Sequence, residues 1–355
     1  MSDQKSEGVL IPIDLIRAIA IVMVILLHAA GEPHLVIDIM APEEMTRWWA
    51  SNFYESLASP CIALFVMLAG VLLLRPSRLD EPLGVFFKKR WQRIGLPCIF
   101  WGIIYFAWRF LVNGEAVTAG SILQGILGGP YVHFWFVYLL TGLFLVTPVL
   151  RVFVVHTNWK TLKYLMLLWL VGTTITYILT LFEPLVLNAN VFLLTGWLGY
   201  FVMGTGLLRV RLRRSILCTM LVLGYLWTIL GTYLVVGTMG ERFSRYFYDS
   251  FSFNVIIVSV ALFLLISSLS FQNVKNRFPR GNRLICLISQ NTLPIYLLHM
   301  LVLETFHKGY LGFKISITTV NPLLEIPFIT VITLFICLGL VITLKKMPYL
   351  DRIIG

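Results

Sequence analysis

Long apolar runs separated by short polar gaps organise this chain. Ten runs stand out, near 11–31, 53–74, 94–112, 132–154, 161–181, 192–208, 214–237, 251–270, 285–304 and 322–344. At about 1.5 Å per residue, each predicts a helix able to cross about 30 Å of hydrocarbon. The sixth run is the shortest, and its Gly196, Gly199, Gly204 and Gly206 read as a surface for close helix packing. No internal repeat is visible, so the inverted-repeat plan of many carriers has no support. The expectation is an all-α integral membrane protein, a bundle of about ten transmembrane helices forming one domain over 1–355, with no soluble appendage.

The first run carries polar exceptions. Asp14, Arg17 and His28 interrupt Ile-Asp-Leu-Ile-Arg-Ala-Ile-Ala-Ile-Val-Met-Val-Ile-Leu-Leu-His. An ionisable group near the centre of a membrane helix costs roughly 2.5 kcal/mol or more, so such groups have a partner or a task. The eleven positions from Arg17 to His28 return within about 20° of the same direction, roughly 16 Å along the axis. Asp14, Arg17 and His28 therefore share one face. Two readings stay open: a structural Asp14–Arg17 pair one turn apart, or one polar stripe with a task.

Composition supports the membrane class. The chain is 58% hydrophobic and 13% charged, against about 25% charged residues in soluble domains. A net charge of +11 raises the question of nucleic acid, but the basic residues sit in short gaps between runs, with no extended arm or nucleic-acid motif. The partner implied is a lipid bilayer and not a nucleic acid. Five cysteines, Cys61, Cys98, Cys218, Cys286 and Cys337, lie in or beside apolar runs without a paired spacing, which favours packing over disulfides or a thiolate metal site. Asp3 and Glu7 beside Lys5, then Asp14 and Arg17, are foreign to a secretory leader; the first run is expected to be a retained helix.

Most of the 28 Lys and Arg residues fall in alternate gaps: Arg75 to Arg93, Arg151 to Lys163, Arg209 to Arg214, Lys275 to Arg283, and Lys345 to Arg352. The opposite gaps hold only Arg47, Arg109, Arg242, Arg245, Lys308 and Lys314. The positive-inside rule then puts both termini in the cytoplasm, with Arg17 toward the inner face and His28 toward the outer one.

Further candidate chemistry follows that orientation. Arg90 and Arg93 lie one turn apart at the inner mouth. Membrane anchoring explains most basic clusters, yet two guanidiniums so placed can also grip phosphates in bidentate fashion. His133-Phe134-Trp135-Phe136 opens the fourth run near the outer surface, where an aromatic belt is the plainer account. The ninth run holds Ser289, Tyr296 and His299 at near-helical spacing, suited either to line a cavity or to bond helices together. Glu32, one turn beyond His28, can orient its imidazole if the helix persists that far.

These residues carry a family resemblance. Asp14-x-x-Arg17, with ten residues between Arg17 and His28, resembles the first motif of the acyltransferase 3 membrane proteins. Arg90-x-x-Arg93 followed by Pro97 resembles the second, and His133-x-Trp135-Phe136 and Tyr296-Leu-Leu-His299 resemble two weaker ones. One departure is visible: Ala69-Gly70 stands where the family often reads Ser-Gly. The resemblance implies transfer of an acyl group, commonly acetyl, from cytoplasmic acetyl-CoA or another short acyl-CoA to a hydroxyl of a glycan or lipid-linked sugar, in the plasma (bacterial inner) membrane and without a metal. The donor would dock on Arg90, Arg93 and Arg17. His28, beside Asp14 and Arg17, would act as general base or transient acyl carrier; Glu32, His133, Trp135, Ser289, Tyr296 and His299 would line the acceptor path. The competing expectation is a transporter or flippase for a polysaccharide or lipid-linked intermediate, and a weaker one a membrane sensor or anchoring subunit.

Overall fold

The computed structural model describes residues 12–31, 42–179, 181, 196–236, 241–269, 279–313 and 321–355. Their regular structure is helical, without strands among the described residues. In chain order the helices are α1 (Ile13–Ala30), α2 (Pro42–Ala58), α3 (Cys61–Leu73), α4 (Leu83–Arg90), α5 (Leu96–Ala107), α6 (Ala119–Gly128), α7 (Trp135–His156), α8 (Trp159–Leu179), α9 (Trp197–Leu207), α10 (Arg214–Val236), α11 (Glu241–Tyr246), α12 (Phe253–Ser267), α13 (Pro279–Gln290), α14 (Thr292–Lys308), α15 (Pro322–Lys345) and α16 (Leu350–Ile353).

Seven helical stretches among the described residues are long and apolar enough to cross a membrane, and eight if one bent pair counts as a span. Large apolar side chains cover their outer faces, such as Ile103, Val149, Leu234 and Leu324. In water such a surface would be an interaction liability; in lipid it is the required exterior. This is a multi-pass membrane protein. Two expected spans are short: α9 has 11 residues and α12 has 15. Residues 192–195 of the sixth run lie outside the described residues. Conversely, α6 is a short apolar helix in a stretch that reads as a gap.

α1 is the hub, packing on α2, α3, α13, α14 and α15. Its Ala18, Ala20, Ala29 and Ala30 are buried with Ile16, Ile21, Val24 and Ile25, and the small side chains let neighbours come close. The tightest neighbouring pair is α3 with α9. A Cβ built on Gly204 would stand 2.0 Å from the Met67 carbonyl oxygen, and one on Gly70 would stand 1.8 Å from that of Phe201. Glycine alone permits that approach; Gly199, Gly204 and Gly206 of the sixth run serve close packing as expected, whereas Gly196 meets nothing closer than 4.0 Å and instead takes a φ of 83°.

Two departures from a plain bundle shape the site. The Arg90–Arg93 motif lies not in a loop but inside a helical rod, Leu83–Val112. That rod contains a widened turn over Trp91–Gly95, in which the Leu96 amide reaches back to the Trp91 carbonyl. Pro97 explains it: in a regular helix its ring would collide with the Arg93 carbonyl, and a wide turn moves that carbonyl away. The ninth run is not one helix either. α13 and α14 meet at an angle of 80°. Pro294 cannot donate to the Gln290 carbonyl, and Asn291 leaves helical geometry with φ −110° and ψ 16°. The carbonyls released there are met by side chains. Asn291 Nδ2 donates to Leu287 O at 2.7 Å, and Thr292 Oγ1 to Ser289 O at 2.9 Å.

Candidate active site

α1, α3, the α4–α5 rod, α7, the α13–α14 elbow and α16 line an open cavity of about 680 Å³. Arg17, Arg90 and Arg93 all line it, and Arg78 and Arg352 join them. Phe65, Phe136 and Phe144 form apolar wall, and Ala69 lies there too. Serine at that position would place a hydroxyl in the cavity; alanine leaves a smooth methyl.

Arg90 is the most informative of the five. Its guanidinium carbon stands 4.9 Å from the Phe86 ring centroid and 5.7 Å from that of Phe144, a cation–π arrangement. Its Nε and Nη2 are buried without a hydrogen-bond partner. Such donors are expensive to leave unmatched. Behind Phe86, Arg151 is 3% exposed and fastens the floor. It donates to Leu73 O at 2.9 Å and Arg78 O at 2.5 Å, and lies 3.5 Å from Glu81. Arg151 thus has its partners inside the protein, and Arg90 still has capacity for an anion.

At the elbow, Ser289 Oγ donates to Asp14 Oδ1 at 2.6 Å, and Cys286 Sγ lies 3.8 Å from Oδ2. Asp14 therefore ties α1 to α13. Ser289 and Tyr296 both line the cavity, one before the elbow and one after it.

Beyond Tyr296 three imidazoles gather. The ring centroids of His28 and His299 are 5.3 Å apart, and those of His133 and His299 are 5.2 Å apart. Tyr296 borders His133 and His299, at 5.5 Å from each ring, and its hydroxyl donates to the His133 carbonyl at 2.6 Å. His133 and His299 are buried, with 1% and 0% exposure; His28 keeps partial exposure. None of the three lines the arginine cavity. Among the described residues no group of three His, Cys, Asp or Glu is arranged to hold a metal ion. Four residues from three distant segments, His28, His133, Tyr296 and His299, thus converge.

The model of the acyltransferase 3 family, described as an acyltransferase domain, matches residues 11–342. The chain belongs to that family. No curated protein and no solved structure matches it. Membership makes it a membrane acyltransferase, with an acyl donor and an acceptor as its substrates.

Of the residues expected in this acyltransferase's site, one has no ring contact with the histidines and one lies outside the described residues. Trp135 is 42% exposed and packs on Trp197 at 5.7 Å, away from the histidines. Glu32 lies outside the described residues. Sequence reasoning missed Arg78 and Arg352, which read as ordinary anchoring charges. It also missed Glu304, which accepts from Trp108 Nε1 at 3.0 Å and Asn113 Nδ2 at 3.1 Å, and bonds Tyr131 and Lys308. Tyr131 in turn stands 6.0 Å from the His133 ring. A carboxylate within an apolar run was the available signal for Glu304.

Proposed function

We propose that this protein is an O-acyltransferase. It takes a short acyl group, acetyl by default, from acyl-CoA on the cytoplasmic side and passes it to a hydroxyl of a glycan or lipid-linked sugar. The observation that carries this reading is one continuous arrangement. Tyr296 lines the arginine cavity of about 680 Å³ and also packs on His133 and His299 of the histidine cluster. Coenzyme A is polyanionic at one end and apolar along its pantetheine arm. Arg90, with unmatched donors, suits its phosphates together with Arg93, Arg17, Arg78 and Arg352. The phenylalanine wall suits the arm. His28, sharing the α1 face with Arg17, would then meet the thioester as general base or as transient acyl carrier.

The distribution of basic gaps supports ten spans with both termini in the cytoplasm of a plasma, or bacterial inner, membrane, α9 and α12 being the short ones. In that orientation the arginines open inward and the histidines sit toward the outer half. A donor held inside then serves an acceptor outside, and no carrier step for the acceptor is needed.

The test is transfer by purified protein in lipid nanodiscs, supplied with labelled acetyl-CoA and a panel of glycan and lipid-linked acceptors. Label on an acceptor with stoichiometric release of coenzyme A is expected. Acceptor movement across sealed vesicles with no consumption of acyl-CoA would replace this reading with the flippase. Coenzyme A should also raise thermal stability in a saturable manner.

A further inference from the structure

His299 stands between the other two imidazoles, with ring contacts to both His28 and His133. Its Nδ1 lies 2.5 Å from the Tyr296 carbonyl oxygen. A carbonyl only accepts, so Nδ1 carries the proton, and in the neutral ring Nε2 bears the lone pair. That Nε2 is buried and has no hydrogen-bond partner. An unmatched buried acceptor costs about 1–3 kcal/mol, and it belongs to a ring whose centroid stands 5.3 Å from that of His28. His133 does not qualify on the same terms. Its ring packs among Tyr105, Phe134, Tyr296 and His299, whereas the ring that packs on His28 is that of His299.

We propose that His299 Nε2 is the base that receives the acceptor's hydroxyl proton, and that His28 carries the acyl group. This rests on the acyltransferase reading above and resolves the choice it leaves open. In the neutral acyl-imidazole one nitrogen is bonded to the acyl group, and the acyl group withdraws density from the other, which keeps its lone pair but is a poor base for the acceptor's proton. If His28 is the carrier, a stronger base within reach of it serves that step better. If His28 is only a base, the oriented and unmatched Nε2 of His299 has no use.

The steps balance. One His28 nitrogen attacks the thioester carbonyl carbon; a C–N bond forms, and the C–S bond breaks with its electron pair leaving on sulfur. The proton from the other His28 nitrogen ends on that thiolate, giving coenzyme A as the thiol and a neutral acyl-imidazole. The acceptor oxygen then attacks the acyl carbon. A C–O bond forms, the C–N bond breaks with its pair returning to His28, and the hydroxyl proton passes to His299 Nε2. Transfer of that proton to His28 restores two neutral rings. No net charge is created in the dry part of the bundle, and no co-reactant is needed.

The experiment uses purified His299→Asn and His299→Gln proteins in nanodiscs, with labelled acetyl-CoA and the acceptor that the wild type acylates. Asparagine keeps a donor for the Tyr296 carbonyl and lacks the base; glutamine puts a non-basic amide near the Nε2 position. Both should lower turnover by about 100-fold or more, with donor half-saturation changed by less than about two-fold. Both should release about one equivalent of coenzyme A and retain label on the peptide containing His28. Turnover in His299→Asn within about three-fold of wild type would mean that the bond to Tyr296 is all His299 supplies, overturning the proposal. Lost turnover without label on His28 would overturn it equally. If neither variant folds, rapid quench of the wild type with donor alone decides, because an unlabelled His28 peptide removes the carrier. Wild-type protein that never consumes acyl-CoA fails at the earlier reading instead.

Discussion

The two ends of the polar axis along α1 are built on opposite electrostatic plans. At one end five arginines face a large cavity, with Asp351 the one acid among its described lining residues. At the other, three imidazoles and Tyr296 pack ring against ring. Like charges around one cavity repel, and a buried unmatched cation is costly. The first end therefore holds unfavourable energy that a polyanion relieves, which is what a binding site for phosphates requires. The second end carries no formal charge when its rings are neutral. Proton transfer there needs no counterion and little reorganisation. The difference separates holding the donor from reacting with it, and each end can be disabled alone.

Replacing the reactive end should have the largest effect. His28→Ala is expected to reduce transfer by about 10²–10⁴-fold while coenzyme A still raises the melting temperature as it does for wild type. Unchanged turnover would remove His28 from the chemistry; lost stabilisation by coenzyme A would show that the two ends are not separable.

Damage to the charged end should be smaller and of another kind. Arg93→Ala and Arg90→Ala are each expected to raise donor half-saturation about 10- to 100-fold, the worth of a charge-assisted hydrogen bond. Single-turnover transfer at saturating donor should stay near wild type. The affinity of the unaltered protein should also weaken as salt rises, since the cavity's charges are partly screened. A donor affinity indifferent to both changes would leave the cavity without its assigned ligand.

The two ends were unequally legible in the sequence. Arg17 and His28 are visible because eleven residues on one helix fix their relation by geometry alone, and Arg90 and Arg93 because a three-residue step does the same. Arg78 and Arg352 are not visible, because every basic residue beside a span looks alike until the fold shows which ones face a cavity. The 80° elbow was signalled by Asn291 and Pro294, yet apolar length outweighed those signals and the run read as straight. Glu304 needed partners 173 to 196 positions away, and no local pattern encodes that. Trp135 errs the other way: its neighbours His133 and Phe136 face the site, and it faces Trp197.

The wall of the charged end offers a mechanical test. α3 supplies Phe65, Leu68, Ala69 and Leu72 to the cavity, and its position is set by the glycine contacts with α9. Gly204→Ala would drive a methyl into the Met67 carbonyl and should cost about 1–3 kcal/mol of stability through overpacking. The displaced α3 should weaken donor binding more than it slows transfer from bound donor. Equal damage to both would mean that α3 also positions the histidine end.

The smallest effect expected is at Glu81, beneath the cavity and outside the spans. Burial of its carboxyl favours the neutral acid. The hydrogen bond from Lys89 at 2.9 Å opposes this, as do the charges of Lys89, Arg78 and Arg151, and together they hold the group below the usual carboxylate range. A lowered folded-state value means that the ionised form stabilises the fold. That contribution is complete above the unfolded glutamate value of about 4.3 and disappears as pH falls through the folded one. Glu81→Gln lacks it at every pH. The melting-temperature gap between wild type and Glu81→Gln should therefore be constant at neutral pH and close on acidification below about pH 4. It should be small, about 1 kcal/mol or less, because Arg78 and Lys89 are 40% and 54% exposed and screened. Arg151 also keeps its two backbone partners without Glu81. A gap that widens in acid would reverse the sign of the Glu81 contribution. Turnover at saturating donor should be untouched, since nothing in this cluster reaches the imidazoles.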